Sequence, residues 1–212
     1  MTIHSQDIIK FLEKAASKIK KNKEFLTQLD SAIGDGDHGI NMDRGFSKIM
    51  STLDSLKDKD MGTILRTCSM ALISTVGGAS GPLYGTAFLY ASKLLNGKYE
   101  IDMNELLEVL KAALEGIQMR GKAVEGEKTM IDAIAPALKV FEEKLKNGAS
   151  PIEILEATVS AAKKGVENTI PMKATKGRAS YLGDRSIGHQ DPGATSSYLI
   201  FEAMLETLKE KV

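Results

Sequence analysis

The sequence has a single cysteine, Cys68. A lone thiol forms no internal disulfide, and Cys68 falls in an apolar helical pattern with Ile64, Leu65, Ala71 and Leu72. That is the setting of a buried, inert side chain rather than a reactive one. An excess of one charge is missing too. Lys plus Arg equal Asp plus Glu at 28 each, so no net field favours nucleic acid or an anionic membrane as a partner. No apolar run is long enough to span a bilayer, and the opening Met1-Thr2-Ile3-His4-Ser5 lacks the features of a signal peptide. These absences point to a cytoplasmic protein. Sustained strand alternation flanked by hairpin turns is also lacking, which leaves an all-α class. With no internal repeat and no linker, residues 1–212 read as a single domain.

Acidic residues and glycines are present, and concentrated. The stretch Asp30-Ser31-Ala32-Ile33-Gly34-Asp35-Gly36-Asp37-His38-Gly39 sets three carboxylates and three glycines just before a segment with helical periodicity. Carboxylates that close repel one another unless a cation lies between them. Asp and water oxygens suit Mg²⁺, which is usually shared between a few carboxylates and substrate phosphates. The stretch therefore reads as a magnesium–phosphate site. Two plainer uses compete: Asp37 as the N-cap of the helix beginning near His38, and Asp35-Gly36 as turn residues. Asp30 resists both, because the helix before it would place its charge at the negative end of a dipole.

Two other motifs fail here. Gly34, Gly36 and Gly39 satisfy G-x-G-x-x-G, but helix rather than strand precedes them, and Asp35 and Asp37 would repel a bare pyrophosphate. An EF-hand starting at Asp35 would need Gly and Glu where the chain has Ile40 and Phe46.

In chain order, Ser5 can cap a first helix carrying Ile8, Phe11, Leu12, Ala15 and Ile19 at helical spacing. A second is expected over about 23–29, a third from near His38 to Leu53, and a fourth capped by Asp60. The fourth ends in Val76-Gly77-Gly78-Ala79-Ser80-Gly81-Pro82. This is either a tight interhelical turn or a nest of N–H groups at a helix start, able to bind an anion. A fifth helix stops at Asn96-Gly97, and Asp102 or Asn104 opens a sixth. The sixth runs into Gly116-Ile117-Gln118-Met119-Arg120-Gly121-Lys122-Ala123, a near P-loop. Ala123 lacks the metal-binding hydroxyl and no strand precedes it, so that motif is rejected, with Gly121 kept as a candidate point of close approach.

A seventh helix is expected over about 128–145, bent at Pro136, and an eighth after Ser150-Pro151. Residues 171–189 lack helical periodicity and are rich in Gly and basic side chains. So long a loop in a compact chain is usually functional or disordered. Tyr181, Leu182 and Ile187 favour a lid over a phosphate site. Asp191-Pro192-Gly193 then supplies an N-cap and a first-turn proline for a last helix.

Taken together, these pieces closely resemble the nucleotide-binding subunits of dihydroxyacetone kinases, the DhaL family. The resemblance is carried by Gly34-Asp35-Gly36-Asp37-His38-Gly39, by Val76-Gly77-Gly78-Ala79-Ser80-Gly81-Pro82-Leu83 and by Arg120-Gly121-Lys122-Ala123. Its most specific part is Gly177-Arg178-Ala179-Ser180-Tyr181-Leu182-Gly183, continuing to His189-Gln190-Asp191-Pro192-Gly193-Ala194. It implies an up-and-down barrel of about eight helices with the nucleotide among the loops at one end. It implies that Asp30, Asp35 and Asp37 hold two Mg²⁺ ions against the diphosphate of ADP or ATP. By the same likeness His38, Gly39, Ile40, Asn41, Ala79, Ser80, Gly121, Met130, Arg178, Asp191, Pro192 and Gly193 line the nucleotide. Arg178 is the candidate catalytic residue, since its guanidinium can meet phosphate charge.

The family also implies the partners. A separate subunit binds dihydroxyacetone, and a phosphohistidine-carrying protein of the sugar phosphotransferase system rephosphorylates ADP in place. The chain itself shows no pocket for a small ketone and no activated nucleophile. Phosphoryl transfer needs positioning and charge neutralisation more than covalent chemistry by the protein, so the two readings agree. Two alternatives differ in partner use: a stand-alone metal-dependent phosphohydrolase would act alone, and a nucleotide-sensing regulatory subunit would transfer nothing.

Overall fold

The computed structural model describes residues 1–211. Among them lie nine α-helices: α1 (Ser5–Lys21), α2 (Lys23–Ile33), α3 (His38–Met50), α4 (Met61–Thr75), α5 (Ser80–Leu94), α6 (Met103–Gly121), α7 (Ile131–Lys146), α8 (Pro151–Asn168) and α9 (Pro192–Lys209). The all-α expectation holds, with one small addition. Two two-residue strands, β1 (Ile3–His4) and β2 (Glu100–Ile101), pair antiparallel with Ile3 opposite Ile101.

Side-chain caps set the starts of four helices. Asp60 Oδ1 accepts the N–H of Thr63 at 3.0 Å, capping α4. Asp102, rather than Asn104, opens α6: its Oδ1 accepts Glu105 N–H while Glu105 Oε2 accepts Asp102 N–H, both at 2.9 Å. Ser150 and Glu153 make the same reciprocal box ahead of α8, with Pro151 in its first turn. Asp191 Oδ2 caps α9 through the N–H of Ala194 at 2.7 Å.

Other boundaries move. Ser5 is not the cap of α1; His4 precedes the helix, and its N–H is taken by the Asp7 carboxylate at 2.7 Å. Helix α2 runs on to Ile33, because buried Ile33 holds another turn on the core before Gly34 ends it. Helix α3 stops at Met50, and Leu53–Leu56 forms a separate 3₁₀ turn. Helix α7 begins at Ile131, not at 128, because Lys128 takes φ of +62°, outside the helical region. Within the expected lid, residues Arg178–Ser186 form 3₁₀ turns broken at Gly183, whose φ is +57°.

Neighbouring helices succeed one another around the core. Contacts run α1–α3, α3–α4, α4–α5, α5–α6, α6–α7, α7–α8 and α8–α9, and α9 returns to α1. Helix α2 lies against α3 and also touches α9. Leu12, Ile19, Leu26, Phe46, Ile64 and Phe141 are fully buried in one apolar cluster, each contributing about 1.5–3 kcal/mol by leaving water. Cys68 lies in this cluster, and burial pushes its thiol up to about 12. Between the helices, a cavity of about 160 Å³ has apolar walls that include Phe11, Phe88, Leu110 and Met204. No helix among the described residues is long and apolar enough to cross a membrane.

Candidate functional site

Because α2 extends to Ile33, Asp30 sits in its last turn and not in the loop. Gly34 follows closely enough that a Cβ there would lie 2.1 Å from Asp30 Oδ1, so any side chain would displace the Asp30 carboxylate. The chain then doubles back through Gly36, whose φ is +72°. This turn brings the N–H groups of Asp37 and His38 onto Asp30 Oδ2, at 2.9 and 3.0 Å. Asp30 thus caps α3 from outside the helix, and the Asp37 side chain makes no capping bond. Capping therefore does not account for Asp37.

One carboxylate oxygen from each of Asp30, Asp35 and Asp37 lies within 4.8 Å of the others. The donors are all oxygen, and they face the positive end of α3, a set that fits Mg²⁺. Across this cluster, Arg178 Nη1 stands 3.0 Å from Asp35 Oδ2.

The second glycine turn folds over the first. A Cβ on Gly78, where φ is +64°, would lie 4.0 Å from Asp37 Oδ1 and 3.9 Å from Asn41 Nδ2. Ser80, the first residue of α5, bonds His38 Nδ1 through its hydroxyl at 2.9 Å. The other ring nitrogen, Nε2, lies 2.9 Å from Ser196 Oγ on α9. Tyr84 hydroxyl continues the chain to Ser196 and Ser197, at 2.7 and 2.8 Å. Burial drives His38 down to about 4 despite nearby Asp30, so the imidazole is neutral near pH 7. A neutral ring donates from one nitrogen and accepts at the other, which ties the starts of α3, α5 and α9 together.

These elements enclose a cavity of about 430 Å³. Asp30, Asp35, Asp37 and His38 line it on one side, with Ala79 and Ser80 beside them. Gly121 and Met130, from the end of α6 and the turn before α7, form another wall. Arg178 stands at the lid, and Asp191, Pro192 and Gly193 at the start of α9. Three of the expected residues lie off this wall. Gly39 packs against α2, where a Cβ would meet Lys23 O at 2.0 Å. Ile40 is exposed, and Asn41 is buried beneath Gly77.

Sequence reasoning missed Arg120, Lys128 and Lys176, all on the wall. Arg120 and Lys176, with Arg178 and the starts of α5 and α9, give the cavity a cationic lining, whereas the Lys128 ammonium is turned onto backbone carbonyls behind the wall. Asp191 is the exception in that lining. Burial pushes its carboxyl up to about 7, against the pull of Ala194 N–H and the Lys128 ammonium.

The arrangement matches known proteins. Residues 32–206 match the DAK2 domain family. The chain is 42% identical over 210 residues to the ADP-binding subunit DhaL of the PEP-dependent dihydroxyacetone kinase of Escherichia coli (strain K12), covering 99% of this chain and 100% of that one. It is 45% identical over 207 residues to the ADP-binding subunit DhaL of PEP-dependent dihydroxyacetone kinase 1 of Listeria innocua, with 98% of each covered. Among solved structures, the dihydroxyacetone kinase of C. freundii in complex with AMP-PNP and Mg²⁺ superposes with a TM-score of 0.72 at 29% identity. That match covers 94% of this chain, which spans 33% of the C. freundii chain. On the domain match and these near full-length identities, the chain belongs to the DAK2-domain family, beside the bacterial DhaL subunits.

Proposed function

We propose that this chain, as one domain, is the ADP-binding subunit of a dihydroxyacetone kinase acting in the cytoplasm, and that its nucleotide is a retained shuttle. The observation that carries this reading is the convergence of Asp30, Asp35 and Asp37 with Ser80, Arg178 and the start of α9 around one cavity. Near full-length identity to DhaL subunits supports it. In this reading the closed succession of helices is an up-and-down barrel with the nucleotide at one end. Asp30, Asp35 and Asp37 would hold two Mg²⁺ ions, and His38, Ala79, Ser80, Gly121, Met130 and residues 191–193 would position ADP, whereas Gly39, Ile40 and Asn41, which lie off the wall, do not reach it. The C. freundii kinase, seen with AMP-PNP and Mg²⁺, supports that choice of ligands.

Bound Mg²⁺ would neutralise charge on the phosphate oxygens, as in other phosphoryl transfers. The chain's own groups do the rest. Backbone N–H groups at the start of α5 and of Gly193 on α9 would donate to phosphate oxygens, while those of Asp37 and His38 stay on Asp30. Neutral His38 keeps the Ser80 hydroxyl oriented toward the cavity. Arg178 exchanges its Asp35 partner for the phosphoryl group, spreading the charge that develops during transfer.

Acceptor and donor come from partners. A dihydroxyacetone-binding subunit presents its hydroxyl in line, and a phosphohistidine-carrying phosphotransferase-system protein recharges ADP in place. The names of the relatives, PEP-dependent and PTS-dependent, support that donor. Calorimetry of the purified chain with ADP tests the binding half of the reading. Tight binding that disappears when Mg²⁺ is chelated supports it, and binding indifferent to Mg²⁺ overturns it.

A further inference from the structure

Lys128 has no part in the chemistry above, yet it is 1% exposed and stands at φ +62°. A lysine rarely takes that backbone conformation, and a buried ammonium is costly unless its donors are satisfied. One arrangement compensates both. Lys128 Nζ lies 2.5 Å from Thr169 O, 3.2 Å from Met172 O and 3.5 Å from Ile170 O, and it also donates to the carbonyl of His189. An ammonium has three N–H donors, all of which these acceptors engage. Burial pulls its pKa down, while the charges of Asp191 and Asp132 oppose the fall.

The four carbonyls belong to the two ends of the lid. Thr169, Ile170 and Met172 follow α8, and His189 precedes α9. Further bonds close the same base. Gly188 N–H donates to Ile170 O at 2.7 Å, and Asp191 N–H to Thr169 Oγ1 at 3.0 Å. Next to Lys128, Glu127 O accepts Thr175 N–H at 3.3 Å. The turn before α7 therefore grips the lid where it leaves α8 and where it rejoins α9. Arg178 projects from the middle of the gripped segment, and Asp191 follows its last residue.

We propose that Lys128 is a positioning residue for phosphoryl transfer: its ammonium binds both ends of the lid to the α6–α7 connection, holding Arg178 at the acidic cluster and Asp191 on the cavity wall. The inference rests on the nucleotide reading given above. Its energetic logic is that of a supporting contact, because a misplacement of about 1 Å can cost about 10²-fold in rate.

The test compares the full chain with Lys128→Met, which keeps the stem and removes the donors, alone and combined with Arg178→Lys. Transfer to dihydroxyacetone in the reconstituted system should slow about tenfold or more in Lys128→Met, while Mg²⁺-dependent ADP affinity changes far less. Arg178→Lys should then add little to Lys128→Met, since residues acting as one unit are not additive. Amides of Gly188 and Asp191 should exchange faster, with those of α4 keeping their protection. Fully additive rate effects would overturn the proposal. So would unchanged exchange at the lid, or loss of the whole folding transition, which would make Lys128 a support of the core. If wild type itself binds no Mg²⁺–ADP, the nucleotide reading fails, while lid exchange still decides the clamp.

Discussion

Arg178 Nη1 and Asp35 Oδ2 meet at 3.0 Å across the mouth of the cavity. The pair joins the lid to the acidic loop, so a group proposed to bind metal and a group proposed to bind phosphate neutralise each other. The pair is partly open to solvent, with 64% of the Arg178 side chain and 32% of the Asp35 side chain exposed. An ion pair so placed contributes little to stability, about 0–1 kcal/mol. Its value lies in where it holds the guanidinium.

The first prediction follows from that geometry. Arg178→Lys keeps the charge but loses the planar fork. Phosphoryl transfer in a reconstituted assay should fall by about tenfold or more, with ADP affinity changing less. Equal transfer rates for the two proteins would remove Arg178 from the mechanism.

Asp30 and Asp37 should separate when each is replaced by Ala. Both substitutions should abolish Mg²⁺-dependent ADP binding. Only Asp30→Ala should also destabilise the metal-free chain, by about 1 kcal/mol, because Asp30 Oδ2 caps α3 through two N–H groups. Asp37→Ala removes a repelling charge and no cap, so its melting temperature without metal should hold or rise. Equal losses for the two would contradict the capping geometry.

Asp191 gives the chain a pH signature. Its carboxyl is raised to about 7, so the folded chain keeps a proton that the unfolded chain has already released. Stability from this group therefore falls as pH rises from the ordinary carboxylate range through about 7. His38 works the other way. Held down to about 4, it makes the unfolded chain the better proton binder between that value and 6.5, so its contribution rises with pH there. In Asp191→Asn the first effect disappears while an oxygen can still cap Ala194. The melting-temperature advantage of Asp191→Asn over wild type should grow from pH 5 to pH 8. An advantage that stays constant or shrinks would place the Asp191 proton elsewhere.

Cys68 should stay unmodified by a thiol reagent in the folded chain and react fully in denaturant. It is completely buried and its thiol is raised to about 12. Reaction at native pH without unfolding would show that α4 opens locally.

What could be read from the residues was mostly local. Asp60, Asp102, Ser150 and Asp191 announce their helices because a side-chain oxygen bonds an N–H three residues on. The acidic loop was legible as a cluster for a similar reason: its glycines and carboxylates are close in sequence. The extension of α2 was hidden, because its last turn is stabilised by the burial of Ile33 and not by any terminal signal. The left-handed Lys128 was hidden more deeply. Its acceptors at Thr169, Ile170, Met172 and His189 lie 41 to 61 residues away. The 3₁₀ turns of the lid escape a search for a 3.6-residue period. They are held by the Ser180 and Ser186 hydroxyls on the carbonyls of Gly177 and Gly183.

The central claim is that this chain carries its nucleotide as a shuttle between partners. Its most direct measurement is dihydroxyacetone phosphate formation by the purified chain, with the dihydroxyacetone-binding subunit and the phosphorylated donor protein added in turn. The account predicts no product from chain, dihydroxyacetone and ATP alone, and sustained turnover in the full mixture with ADP below the concentration of the chain. Robust turnover with ATP and no partner would contradict it.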